Sequence, residues 1–159
     1  PVGGLGVSKW GKFWRRPPAQ RRLLIKSFIM LPLISFGLRI LGLQKLQTLL
    51  GSLISGKNEA TNEEVALAQS QIAARLVGVA SRHGFYQASC LPQSLALWWL
   101  LKRQGIEADL RIGVRKNETG LDAHAWVEYL GRPLGDSQKV HENFSAFEKK
   151  IISSEMNKQ

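Results

Sequence analysis

One cysteine among 159 residues sets the first limits. A single thiol makes no internal disulfide and no cysteine-rich metal site, and it points to a reducing, cytoplasmic setting. Acidic residues are also few: 12 Asp and Glu face 22 Lys and Arg, a net charge of +10. Such an excess draws anionic partners, whether nucleic acid, an acidic membrane surface or an acidic peptide. No zinc-finger spacing or RRM-type aromatic signature accompanies the charge, so nucleic acid is not expected. A long apolar run is missing too. Ser27–Leu38 is uncharged and apolar but only 12 residues long, contains Pro32 and is bounded by Lys26 and Arg39. A spanning helix needs about 20 residues, and no small-residue cleavage site of a signal peptide follows. The stretch reads as a buried or surface-associated helix, which leaves membrane association open beside a cytoplasmic location.

What is present is enough for a globular protein: 44% hydrophobic residues, spread along the chain. Pro1–Val7, which lacks an initiator methionine, is expected to be partly a remnant or a processed end. Residues 1–20 carry Lys9, Lys12, Arg15 and Arg16 and close on Pro17-Pro18, which predicts a flexible basic arm. Residues 21–56 are rich in Leu and Ile and predict a helical hairpin or a kinked helix. Pro32 is expected to interrupt it, and Gly37, Gly42 and Gly51 to weaken it. A linker at 55–58 separates this region from a core over 57–159. Thr61-Asn62-Glu63-Glu64 has the spacing of a capping box, with Thr61 as the cap. Apolar Val65, Ala68, Ile72, Leu76 and Val79 then recur at helical spacing, and His83-Gly84 ends the helix, which makes His83 a helix-end residue. A further helix begins near Cys90, accommodates Pro92 in its first turn and stops at Gly105. Its apolar residues surround it, so it is expected to be buried. Two strands follow. Ile106 to Val114 alternate, and Ala123, Ala125, Val127 and Tyr129 alternate after them, which puts His124, Trp126 and Glu128 on the opposite face. Gly131 to Gly135 is expected to form a turn before Asp136.

Cys90, His124 and Asp136 are the candidate catalytic residues. A lone cysteine is often just a small buried hydrophobe. At the start of a helix, however, free amides and the helix dipole favour an anion, as a nucleophilic thiolate requires, and the Cys90 amide can donate to a tetrahedral oxyanion. A strand packed on that helix can bring a base, His124, and Asp136 can orient it. Asp109 and Asp122 are rivals for the third role. Tyr86 and Gln87 are candidates for a second oxyanion donor, and His141 is expected at the surface.

The segments Cys90-Leu91-Pro92-Gln93-Ser94-Leu95-Ala96-Leu97, Arg111-Ile112-Gly113-Val114-Arg115-Lys116, His124-Ala125-Trp126-Val127-Glu128 and Gly131-Arg132-Pro133 together resemble the leader peptidase of lasso-peptide biosynthesis, a branch of the transglutaminase-like, papain-type superfamily. The resemblance covers residues 84–140 well and 20–83 more loosely; Gln93 departs from it, where a basic residue is more usual. It implies an α+β fold in which an antiparallel sheet packs on the helix that starts at the catalytic Cys, with the helical N-terminal region added. It further implies a cysteine protease with a Cys90–His124–Asp136 triad, without cofactor or metal, that cuts a precursor peptide between leader and core. The implied partners are the precursor peptide, a separate leader-recognition protein, and the lasso cyclase. The recognition protein would dock on residues 21–56 or, alternatively, those residues complete the core. Charges placed at Leu43, Leu46 or Leu50 would separate the two. Two other functions remain open: a transglutaminase-like acyltransferase with the same triad, and a non-enzymatic basic scaffold that binds peptide or membrane through residues 9–55.

Overall fold

A computed structural model describes residues 17–54, 62–83, 88–117, 120–135 and 145–146. The first helix, α1 (Pro18–Ser52), starts where proline suits it best, with Pro18 in the first turn and Pro17 extended before it. Pro32 does not interrupt it. The break falls at Gly42, whose φ of 73° and ψ of 173° are non-helical and favour a residue without a side chain. The consequence is visible nine residues apart: a Cβ built on Gly37 would lie 2.9 Å from Leu46 Cδ1. In a straight helix positions nine apart are separated by about 13 Å, so the chain turns back at Gly42 and α1 is a helical hairpin.

The second helix, α2 (Glu63–His83), carries Glu63 and Glu64 in its first turn and Arg82 and His83 in its last, as the helix dipole prefers. Asn62 caps its start: Asn62 Oδ1 accepts the Glu64 amide at 2.9 Å, a short Asx side chain reaching the free amide two residues on. Thr61 lies outside the described residues. His83 is exposed at the helix end.

The third helix, α3 (Cys90–Lys102), buries nine of its 13 residues, Trp98 and Trp99 among them. The sheet follows. β1 (Asp109–Asn117) and β2 (Gly120–Tyr129) form an antiparallel hairpin, with only residues 118–119 between them. β3 (Arg132–Pro133) and β4 (Ser145–Ala146) are two-residue edge strands, and the order across the sheet is β3-β2-β1-β4. The turn expected over 131–135 is shorter than that. Leu130 and Gly131, with φ of 50° and 73°, make it alone, and pairing of Glu128 with Pro133 resumes at once. Proline is tolerated there because β3 is an edge.

Three helices and an antiparallel sheet make an α+β fold around one core. Leu31, Ile34, Leu46 and Leu50 of α1, Leu76 and Val77 of α2, Leu95 and Leu101 of α3, and Val127 and Tyr129 of β2 all join it. Trp99 Nε1 also donates to the Leu50 carbonyl at 3.1 Å, which ties the second arm of α1 to α3. Leu46 and Leu50 are therefore core residues, and Leu43 packs against them.

Candidate active site

Cys90 is the first residue of α3, half-buried and a free thiol. The chain leading to it is held from two sides. Gln93 Nε2 donates to the Ala88 carbonyl at 2.6 Å and Ser81 Oγ of α2 donates to the same carbonyl at 3.3 Å. Gln93 thus works on the backbone before Cys90, with its amide group already engaged.

His124 comes from β2, directly across from Gly113 of β1. A glycine partner leaves the cross-strand position bare and gives the imidazole space. Its ring stacks on Trp126, with centroids 6.2 Å apart and planes 15° from parallel. Trp126 Nε1 in turn donates to Glu128 Oε1 at 2.8 Å, and Arg111 Nε donates to Glu128 Oε2 at 3.1 Å. Glu128 is buried, and these two donors offset the cost of removing its charge from water. The alternation of β2 thereby stacks His124, Trp126 and Glu128 on one face, as its period of two requires. Burial holds the His124 pKa below its ordinary value of 6.5, while the nearby Asp122 carboxylate pulls it back up.

Helix and strand are locked by one side chain. Ser94 Oγ, one turn after Cys90, donates to the carbonyl of Ala125, the residue after His124, at 2.9 Å in a buried bond. Cys90 and His124 consequently line the same cavity, of about 270 Å³, with Gly78 and Arg82 of α2 and Leu134 and Gly135 after β3. Gly135 meets α2 closely. Its amide donates to Gln71 Oε1 at 3.3 Å, its φ is 73°, and a Cβ there would lie 3.3 Å from Ala74 Cβ.

The structure brings together two of the three residues expected to form the triad. Asp136 follows Gly135 in sequence but lies outside the described residues, as do Tyr86, Gln87 and His141. The rival acids are placed. Asp109 is at the far end of β1, opposite Glu128, about 13 Å along the strand from the residue facing His124. Asp122 lies two residues before His124 and accepts Arg115 Nη2 at 2.8 Å. Among the described residues no group of three His, Cys, Asp or Glu is arranged to hold a metal ion. Ser94, Glu128 and the Ala88 carbonyl were not singled out from the sequence. The only signal for Ser94 is a hydroxyl one turn beyond Cys90 in a largely apolar helix, and the carbonyl it meets belongs to a residue 31 positions away.

A thiol and an imidazole arranged in this way can perform acyl transfer: a nucleophile at a helix start, a base on the facing strand, and helix amides for the oxyanion. A sequence-family profile described as the transglutaminase-like superfamily matches residues 30–149. No curated protein and no solved structure matches the chain.

Proposed function

The chain belongs to the transglutaminase-like superfamily, and on that premise we propose that it is a cysteine peptidase that removes the leader from a ribosomally made lasso-peptide precursor. The superfamily includes cysteine peptidases and acyltransferases. The observation that carries the proposal is the cavity shared by Cys90, at the start of α3, and His124 on β2. The finer reading, leader removal, is supported by the four motifs around Cys90, Arg111, His124 and Gly131.

In this mechanism His124 takes the Cys90 thiol proton, and the thiolate adds to the carbonyl at the leader–core junction. The oxyanion is met by the Cys90 amide and the positive end of α3. As the C–N bond breaks, His124 returns the proton to the leaving amine, and the core is released with a free N-terminus. The leader remains as a thioester. His124 then deprotonates water, hydroxide adds, and collapse expels the thiol and frees the leader acid. Asp136 orients the imidazole. A lower His124 pKa suits the first step, because a neutral imidazole is the proton acceptor. A separate leader-recognition protein presents the precursor, and the cyclase takes the freed core.

The test is a mass measurement on the protein mixed with precursor peptide and recognition partner. Leader release by wild type, with loss of at least about a hundredfold in Cys90→Ala and His124→Ala, is the expected result. Equal release by Cys90→Ala would overturn the proposal. Adding a primary amine distinguishes the acyltransferase reading, since a leader amide in place of the leader acid means that an amine, not water, resolves the thioester.

A further inference from the structure

We propose that the first arm of α1 lies flat on an anionic lipid bilayer and holds the domain at the membrane surface. This arm runs from Pro18 to the break at Gly42 and is apolar on two opposite faces. One face, with Leu24, Leu31 and Ile34, is buried in the core. The other carries Ile25, Ile29, Leu33, Phe36 and Ile40, each between 49% and 65% exposed. At 3.6 residues per turn these five side chains fall within an arc of about 80°. Only 22% of the arm's most apolar 18-residue stretch is buried. A contiguous apolar stripe of this kind on a folded domain marks an interaction surface, not a core helix.

Charge identifies the occupant. The first 58 residues contain ten Lys and Arg and no Asp or Glu, whereas residues 59–159 contain 12 of each sign. The whole net charge of the protein therefore resides in the segment that bears the stripe. Arg22 and Lys26 flank the stripe at its start and share a groove with Arg103 of α3, and Arg39 flanks it near the end. Ahead of the helix the sequence reads Lys9-Trp10-Gly11-Lys12-Phe13-Trp14-Arg15-Arg16. Aromatic and basic residues interleaved in this way suit the boundary of a bilayer, where the rings partition among headgroups and the cations meet lipid phosphates. An apolar stripe between basic flanks has the composition of an interfacial helix.

Length and hydropathy would also fit a spanning helix, but packing decides against it. To cross a bilayer the arm would have to withdraw Leu24, Leu31 and Ile34 from the core. Lying flat, it keeps them there and buries only the side that the fold leaves open.

The test uses the whole chain and synthetic vesicles, and it reads nothing at Cys90, so it stands or falls separately from the peptidase proposal. The protein is expected to sediment with vesicles of phosphatidylcholine containing about one-third phosphatidylglycerol at least about tenfold better than with phosphatidylcholine alone, and to be released at about 1 M salt, where screening shortens to ~3 Å. Ile29→Glu/Phe36→Glu should abolish binding, and the neutral pair Ile29→Gln/Phe36→Gln should weaken it, both with an unchanged thermal melt because the positions are exposed. Arg22→Glu/Lys26→Glu should reduce the preference for anionic lipid. Failure to bind either vesicle, binding unaffected by the Ile29 and Phe36 pairs, or retention on the vesicles after alkaline carbonate, which marks a spanning helix, would each overturn the proposal. So would a stripe that instead binds the leader-recognition protein, or a second copy of this chain, and ignores vesicles.

Discussion

Two helices of this protein are apolar around much of their circumference, and they meet different fates. α3 is surrounded by α1, α2 and the sheet, and Leu95, Trp98 and Leu101 are all buried within it. The first arm of α1 has partners on one side only, so Leu31 and Ile34 are buried while Leu33 and Phe36, one or two residues away, face outward. Hydrophobicity at a position thus says that burial would be favourable. Whether it happens inside the fold depends on what stands opposite. In α3 the covering is complete and it serves to fix the cavity; in α1 half the covering is left to something outside the domain.

The contrast can be broken most forcefully in the core. Leu95→Ala should cost about 2–5 kcal/mol, read as a fall in the urea midpoint at constant slope, whereas Leu33→Ala on the outward face should stay within about 0.5 kcal/mol. Similar losses at both sites would mean that the stripe is covered within the domain. Ser94→Ala should have a smaller effect on stability, about 1–3 kcal/mol, because it strips the buried Ala125 carbonyl of its partner. Its effect on leader release should be larger than that loss implies, with kcat falling more than KM rises and partial recovery in Ser94→Thr; unchanged kcat would remove Ser94 from the positioning of Cys90 against His124.

The smallest expected effect is electrostatic. A neutral His124 accepts the thiol proton, so the acid limb of the rate profile should lie below pH 6.5, where burial puts the imidazole. Asp122 raises that value by stabilising the imidazolium. Asp122→Asn should therefore move the limb to lower pH, and a limb that moves up or stays fixed would show that His124 is not the group being titrated.

How much of this was legible beforehand follows from the range of the interactions. The start of α3 at Cys90, its all-round burial and the strand that carries His124 are written in neighbouring residues: Pro92 in the first turn, Gly105 after the end, and a period of two from Ala123 to Tyr129. Over α1 the sequence left a hairpin and a kinked helix open, with Pro32 interrupting it and Gly42 among the weakening residues; the break falls at Gly42 and not at Pro32, because proline costs a helix one hydrogen bond whereas a residue with φ of 73° reverses the chain. Asn62 accepts the Glu64 amide at the start of α2, a contact that the capping-box spacing alone did not indicate. The turn after β2 tightened to Leu130-Gly131 once Arg132–Pro133 found the edge of the sheet.

Residue order by itself determined that this chain has one thiol at a helix start, one imidazole on a later strand and a cationic, apolar N-terminal third, since composition and local periodicity depend only on residues a turn or a pleat apart. Only the tertiary structure decided that Cys90 and His124 share a cavity, through the contact of Ser94 with Ala125, and that Leu46 and Leu50 go inside while Leu33 and Phe36 stay out. Those outcomes turn on which surfaces meet across 31 or more residues of chain, and no local pattern encodes the position of a distant partner.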